Sequence, residues 1–249
     1  MITNKGTLKE AYNAKCDGII WKIALDEQQE LIVWECRTID KKVSFYAYDF
    51  KNQTELLTDF SFEEEWLLSL SQVVSGIAYF NSYESVSSPV QKGIIAFDLK
   101  AKKILWQNFS ITIHLISKEG VLVYDSKILP RKFQLLNFTN GSFIKNISVD
   151  ELSNHIAIGN DLLLPKLYEE KEILNVNYVL NFNELTINSF FKQTDGKINQ
   201  FIKLEKDEGI IFTDIINKDI QKVGFDTFFV WHNLLIYIKN KTEIVSYFV

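Results

Sequence analysis

Residues 93–106 read Gly-Ile-Ile-Ala-Phe-Asp-Leu-Lys-Ala-Lys-Lys-Ile-Leu-Trp. An apolar run ends on Asp98, a polar stretch follows to Lys102, and a second apolar run closes on Trp106. Runs this short, bounded by turn residues, read as strand, turn and strand. Looser copies lie at 44–57 (Phe-Tyr-Ala-Tyr-Asp-Phe, then Glu-Leu-Leu), 132–144 (Phe-Gln-Leu-Leu-Asn-Phe, then Ser-Phe-Ile) and 177–187 (Tyr-Val-Leu-Asn-Phe-Asn, then Leu-Thr-Ile). Short strands that return with a period of roughly 40–45 residues are the mark of a β-propeller blade.

A second register supports the first. Apolar strands start at Glu30, Gly76, Gly120, Asn160, Gly209 and Asn233, each preceded by another short strand. Gly and Asn supply the positive φ of a tight hairpin, and Pro89, Pro130 and Pro165 fall after these strands, where no ladder donor is needed. Six second strands predict six blades. The step from 209 to 233 is only 24 residues (233 − 209). Five blades, with Lys197–Asp219 as an insertion, is therefore the alternative. The segment Glu243–Val249 resembles a third strand without a fourth, and Thr7–Tyr12 is expected to supply it. The predicted fold is all-β: a single domain over 1–249, a propeller of about six or alternatively five four-stranded antiparallel blades, closed by the N-terminal strand. Helix is expected to be scarce. Glu63–Leu70, read mainly as strand, and Ile147–Asn154 are the best helical candidates.

Composition narrows the function classes. A hydrophobic content of 47% excludes general disorder. A net charge of −5, with arginine only at Arg37 and Arg131, argues against nucleic acid, which needs a basic face. No apolar run nears the ~20 residues that span a bilayer, and the first residues lack the apolar core of a signal peptide, so a cytoplasmic monomer is expected. Cys16 and Cys36 are then read as thiols, and two cysteines without a histidine cluster make a poor zinc site. No cofactor is expected. P-loop, Gly-x-Gly-x-x-Gly, Gly-x-Ser-x-Gly and His-Glu-x-x-His motifs are all missing from the sequence.

The 93–106 block resembles the repeat of the quinoprotein-like propellers (PQQ-like repeats), Gly-x-x-x-Ala-Leu-Asp, a Gly-Lys turn, then Leu-Trp. Ala96-Phe97-Asp98 and Lys103-Ile104-Leu105-Trp106 match it, while Ala101 or Lys102 stands where the turn glycine belongs. The resemblance implies the architecture. It does not carry over dehydrogenase activity, because the adjacent cysteines of that cofactor site are not present: Cys16 and Cys36 are twenty residues apart. The outer-membrane assembly lipoproteins of the same superfamily use a signal and a lipobox cysteine, which are not read here. As a whole the chain resembles an uncharacterised Bacteroidetes family of cytoplasmic propeller-like proteins of unknown function.

Aligned on the hairpin that follows, the first strands carry Trp21, Trp66, His114, His155 and Gln200 inside apolar runs. One reading is a ring at one channel mouth that stacks on, or hydrogen-bonds, a protein or small-molecule ligand. The other is packing between blades. Scattered carboxylates (Asp17, Asp26, Asp49, Asp59, Asp98, Asp161, Asp214) could serve a carbohydrate hydrolase if two converged. Asp49 and Asp98 are expected to bond their own turns. The expected function is a non-catalytic binding or scaffold propeller, with the hydrolase as alternative.

Overall fold

The computed structural model describes residues 8–63, 67–85, 88–169, 176–207, 209–221 and 228–249. They form five antiparallel sheets and one 3-10 turn, Leu152–Asn154. Sheet 1 is a meander of β2 (Ile19–Asp26), β3 (Leu31–Arg37), β4 (Val43–Asp49) and β5 (Thr54–Phe60). Sheet 2 repeats the plan with β6 (Leu68–Val74), β7 (Ile77–Ser85), β8 (Ser88–Asp98) and β9 (Lys103–Asn108). Sheet 3 does so with β10 (Thr112–Ser117), β11 (Gly120–Tyr124), β12 (Phe133–Leu136) and β13 (Phe143–Ile147). Sheet 4 has five strands: β15 (Lys166–Glu169), β16 (Val176–Phe182), β17 (Leu185–Thr194), β18 (Lys197–Lys206) and β19 (Gly209–Ile220). Sheet 5 takes the order β1 (Glu10–Lys15), β22 (Glu243–Phe248), β21 (Leu234–Lys239), β20 (Phe228–Trp231) and β14 (Leu162–Leu163).

The all-β reading therefore stands, with several four-stranded sheets. Four of the six expected second strands are β3, β7, β11 and β21. The other two differ. The run after Asn160 stops at Pro165 and leaves only the two-residue β14, paired with β20. The run at Gly209 is β19, the last strand of sheet 4, and Lys197–Asp219 continues that sheet as β18 and β19. An apolar period of two does not say which place in a sheet a strand takes. Of the helical candidates, Ile147–Asn154 yields only the 3-10 turn, and Glu63–Leu70 is strand from Leu68. In sheet 5, β1 pairs antiparallel with β22, Glu10 opposite Tyr247 and Ala14 opposite Ile244, and Ser246 Oγ donates to the Tyr12 carbonyl.

The chain divides into two compact units, Trp21–Asn160 and Met1–Ile20 with Asp161–Val249. In the first, sheet 2 is covered on both faces. Ala78, Phe80, Ile95 and Phe97 pack with Leu31, Val33 and Phe45 of sheet 1. The alternate residues Ile77, Tyr79, Ile94 and Ala96 pack with Ile116, Val121 and Val123 of sheet 3. Successive strand residues point to opposite faces, so a strand buried on both reads as an unbroken apolar run. In the second unit, Ile187, Ile202, Leu204 and Phe212 of sheet 4 pack with Val230, Leu235 and Tyr237 of sheet 5. There Asp214 accepts hydrogen bonds from Tyr237 Oη (2.7 Å) and Lys239 Nζ (2.8 Å). Burial, then the Asp214 charge, pushes the Tyr237 hydroxyl well above the ordinary tyrosine range.

Three of the four copies of the block are the third and fourth strands of sheets 1, 2 and 3, with shared turn chemistry, whereas the copy at 177–187 is β16 and β17, the second and third strands of sheet 4. The strand-end side chain accepts backbone N–H groups of its own turn: Asp49 from Asn52, Asp98 from Lys100 and Ala101, Asn137 from Thr139. A left-handed residue follows, Gln53 (φ 52°), Lys102 (φ 53°) or Gly141 (φ 65°). Lys102 thus holds the place where the repeat favours glycine. Gly141 is required for a second reason. An added Cβ would lie 2.6 Å from the Trp106 ring, whose Nε1–H donates to the Phe138 carbonyl (2.7 Å). The tryptophan that ends the block in sheet 2 therefore seats on the corresponding turn of sheet 3.

These turns generate opposed expectations. Lys102→Gly relieves left-handed strain at an exposed site and should stabilise the fold by about 1 kcal/mol. Gly141→Ala should destabilise it by about 2 kcal/mol, through strain and the clash with Trp106. Urea-denaturation midpoints check both; equal signs would overturn the account.

Candidate functional site

The most heavily built polar cluster centres on Glu35. In β3 the residues Leu31, Val33, Glu35 and Arg37 share a face, and the first two enter the core against sheet 2. Glu35 is fully buried. Its Oε1 accepts from Arg37 Nε (2.5 Å), and its Oε2 accepts from Ser69 Oγ (2.9 Å) and the Leu70 N–H (2.7 Å). Arg37 Nη2 in turn donates to the Leu68 carbonyl (2.9 Å). One carboxylate and one guanidinium therefore satisfy the start of β6. The same guanidinium sits 5.7 Å from the ring centroid of Trp21 on β2. Trp21 is 66% exposed on a strand whose other half is core. Burial lowers the neighbouring Lys22 ammonium below the ordinary lysine range, with the Glu35 charge opposing.

His114 projects from β10 because of a bulge. Ile113 pairs with Val123 and Leu115 with Leu122, leaving His114 as the extra residue. Its exposed ring lies 5.0 Å from Phe133 and 6.2 Å from Tyr124, and Arg131 stacks on Tyr124 at 4.5 Å. Partial burial, then the Arg131 charge, lowers its pKa. Sheet 2 has the same bulge three residues before its hairpin, at Ser71 between the pairs Leu70–Phe80 and Gln72–Tyr79. The counterpart of His114 is therefore Ser71, whereas the sequence alignment chose Trp66, which lies outside the described residues.

His155 is not in a first strand. It caps the 3-10 turn in an extended conformation, and the chain after it lies along β10 through the Ser117–Ala157 bridge and the Ile158 N–H to the Ile116 carbonyl (2.8 Å). Gln200 lies inside sheet 4. It is 1% exposed, donates to Ser189 Oγ (3.0 Å) and accepts from Asn217 (2.7 Å). The structure thus places Trp21, His114 and His155 in one unit and Gln200 in the other. Glu35 and Arg37 escaped the sequence reading. A charged residue at core parity within Leu-Ile-Val-Trp-Glu-Cys-Arg was the available signal.

Asp26, Asp49, Asp59, Asp98 and Asp214 are engaged structurally. Asp26 accepts from the N–H groups of Gln28, Gln29 and Gly76, so it ties the first hairpin of sheet 1 to that of sheet 2. Asp49 and Asp98 hold their own turns, as expected. Hydrogen bonds from Ser148 and Lys206 hold the Glu151 and Glu184 carboxyls, respectively, below the ordinary carboxylate range. A general acid requires the opposite direction. Among the described residues no group of three or more His, Cys, Asp or Glu is placed for a metal ion, and no helix is long and apolar enough to cross a membrane.

Residues 25–106, from the end of β2 to β9, match the model of a family described as a domain of unknown function, DUF4905. No curated protein matches the chain. Among solved structures it is similar to BamB from Moraxella catarrhalis, at 10% identity and a TM-score of 0.34, over 98% of this chain and 100% of that one. The β-propeller domain of Cps50 (Swd1) from Myceliophteria thermophila gives 8% and 0.36, over 98% and 100%. A quinohemoprotein alcohol dehydrogenase from Pseudomonas putida HK5 gives 9% and 0.33, over 93% of this chain and 53% of that one. Likeness at this level carries no function across.

Removing one member of the Glu35 cluster should cost far more than removing both charges. Glu35→Ala strands Arg37 and two β6 donors and should destabilise by about 3 kcal/mol, whereas Glu35→Leu with Arg37→Met should recover most of that loss. Urea denaturation of the three variants tests this; an equally unstable double variant would contradict it.

Proposed function

We propose that the chain is a non-catalytic binding protein, built over 1–249 as one β-propeller of five blades that β1 closes against β22. Five successive antiparallel sheets, three of them four-stranded meanders stacked face to face, support the architecture. Closure through β1 leaves fewer open edges.

Trp21 carries the functional reading. A large aromatic side chain is held at the surface by a guanidinium that a fully buried carboxylate fixes in place. Tryptophan and arginine dominate binding hot spots, and a contact ordered in advance loses less entropy on association. Trp66, two residues before Leu68 in the sequence, is the second proposed aromatic contact. His114 with Arg131 and the exposed Leu129 forms a third, on sheet 3. The hydrogen bonds of Gln200 belong to sheet 4, so it has no part in the proposed surface.

Photo-crosslinking tests the reading. Trp21→p-benzoylphenylalanine, expressed in cells, should give a discrete adduct that the same replacement at exposed Lys100 does not give. Trp21→Ala should leave stability within about 1 kcal/mol, because little area is buried. An identical adduct pattern from both positions would remove Trp21 from the surface.

A further inference from the structure

A separate cleft of about 350 Å³ opens between the β10–β11 turn and the segment 154–159. One wall holds Ser117, Lys118 and Glu119; the other holds His155, Ile156, Ala157 and Ile158. Both walls are pinned. Ser117 Oγ accepts from the Glu119 N–H (3.2 Å), Ala157 bridges to Ser117, and Gln72 Nε2 on β6 donates to the Ile158 carbonyl (2.8 Å).

The imidazole of His155 is 96% buried, from a side-chain exposure of 4%, and its Nδ1 has no hydrogen-bond partner among the described residues. A buried polar atom left unpaired costs about 1–3 kcal/mol, which a ligand that supplies the missing bond recovers. Glu119 Oε2 lies 3.8 Å from Nδ1, too far for a direct bond but close enough for one donor to serve both. With the ring neutral and its proton on Nε2, Nδ1 and the carboxylate are both acceptors. A single nitrogen with two or more N–H groups can sit about 2.8 Å from each. Beside them, Ile156 is 78% exposed, and with Ala157 and Ile158 it offers an aliphatic wall.

From this geometry we infer a binding site for a primary ammonium on an aliphatic stem, as in a lysine side chain or a free alkylamine. The ammonium bridges His155 Nδ1 and Glu119 Oε2, and the stem lies on Ile156. Among the described residues two cations compete. Lys118 lines the cleft, and Lys145 Nζ is 3.7 Å from the same Glu119 oxygen, with both side chains about half exposed. That pair is beyond hydrogen-bond distance and is screened by solvent, so it weakens the site without filling it. Glu151, which the Lys145 charge also reaches, adds to the negative field. The site is independent of Trp21, and either proposal can fail alone.

The test is a titration of the whole protein, with ¹⁵N-labelled histidine, at about pH 8, where imidazole is neutral and alkylamines are charged. n-Butylammonium should shift the His155 Nδ1 resonance saturably, in the millimolar range suited to about five non-hydrogen atoms. Nα-acetyl-lysine N-methylamide should shift the same signal, and the tighter of the two identifies a peptide side chain or a free amine as the source. Glu119→Gln, at a largely exposed position, should weaken binding about tenfold, and Lys145→Ala should strengthen it. The proposal is overturned if tetramethylammonium, which has no N–H, or acetate produces the same shift. It is also overturned if butylammonium produces none, or if Glu119→Gln changes nothing.

Discussion

Everything at the junction of sheets 1 and 2 depends on one buried carboxylate. Stacking two sheets face to face removes water from the start of β6, where Leu68, Ser69 and Leu70 carry polar groups with no ladder partner on that side. Apolar side chains cannot satisfy them. Glu35 and Arg37 do so together, and each neutralises the other. The arrangement is strained between two requirements: a charge pair inside the core is costly to desolvate, yet removing either half leaves several groups stranded. Arg37 also stands at the border of core and surface, which is how a buried constraint comes to orient Trp21.

The same logic recurs in milder form elsewhere at this junction and at others. Asp26 reaches the Gly76 N–H, Trp106 reaches the Phe138 carbonyl, and Asp214 gathers Tyr237 and Lys239. In each case an apolar interface is given its register by one directional contact. Hydrophobic burial alone is non-directional and would permit sheets to slide; a hydrogen bond to a named backbone group does not.

Much of this was legible in the sequence. Apolar runs at 31–36, 77–80 and 120–124 mark strands, and the repeated block marks the third and fourth strands of three sheets, down to Asp49 and Asp98, which hold their own turns. What stayed hidden was long-range. Nothing local distinguishes the run at Gly209 from a second strand, because its place in sheet 4 is set by pairing with β18. The bulge that turns out His114, like the one at Ser71, is a mismatch between two strands and is invisible in either one. The hairpin alignment puts His155 in a first strand, whereas it caps a 3-10 turn and the segment after it lies on β10 as an added edge. Glu35 could have been found by parity.

The pairing of β1 with β22 has a consequence for synthesis. Residues 21–160 carry their packing within themselves and can consolidate as they leave the ribosome. β1 cannot: its partner lies at the far end of the sequence, Glu10 opposite Tyr247. At typical elongation speeds of about 5–20 residues per second the strand waits on the order of ten seconds or longer with its backbone unpaired. During that interval its alternating exposed and half-buried side chains, rather than any native contact, must keep it from joining another edge. Sheet 5 therefore cannot be completed before β22 emerges, and a nascent chain stalled before residue 243 would present β1 without its partner strand to whatever meets it.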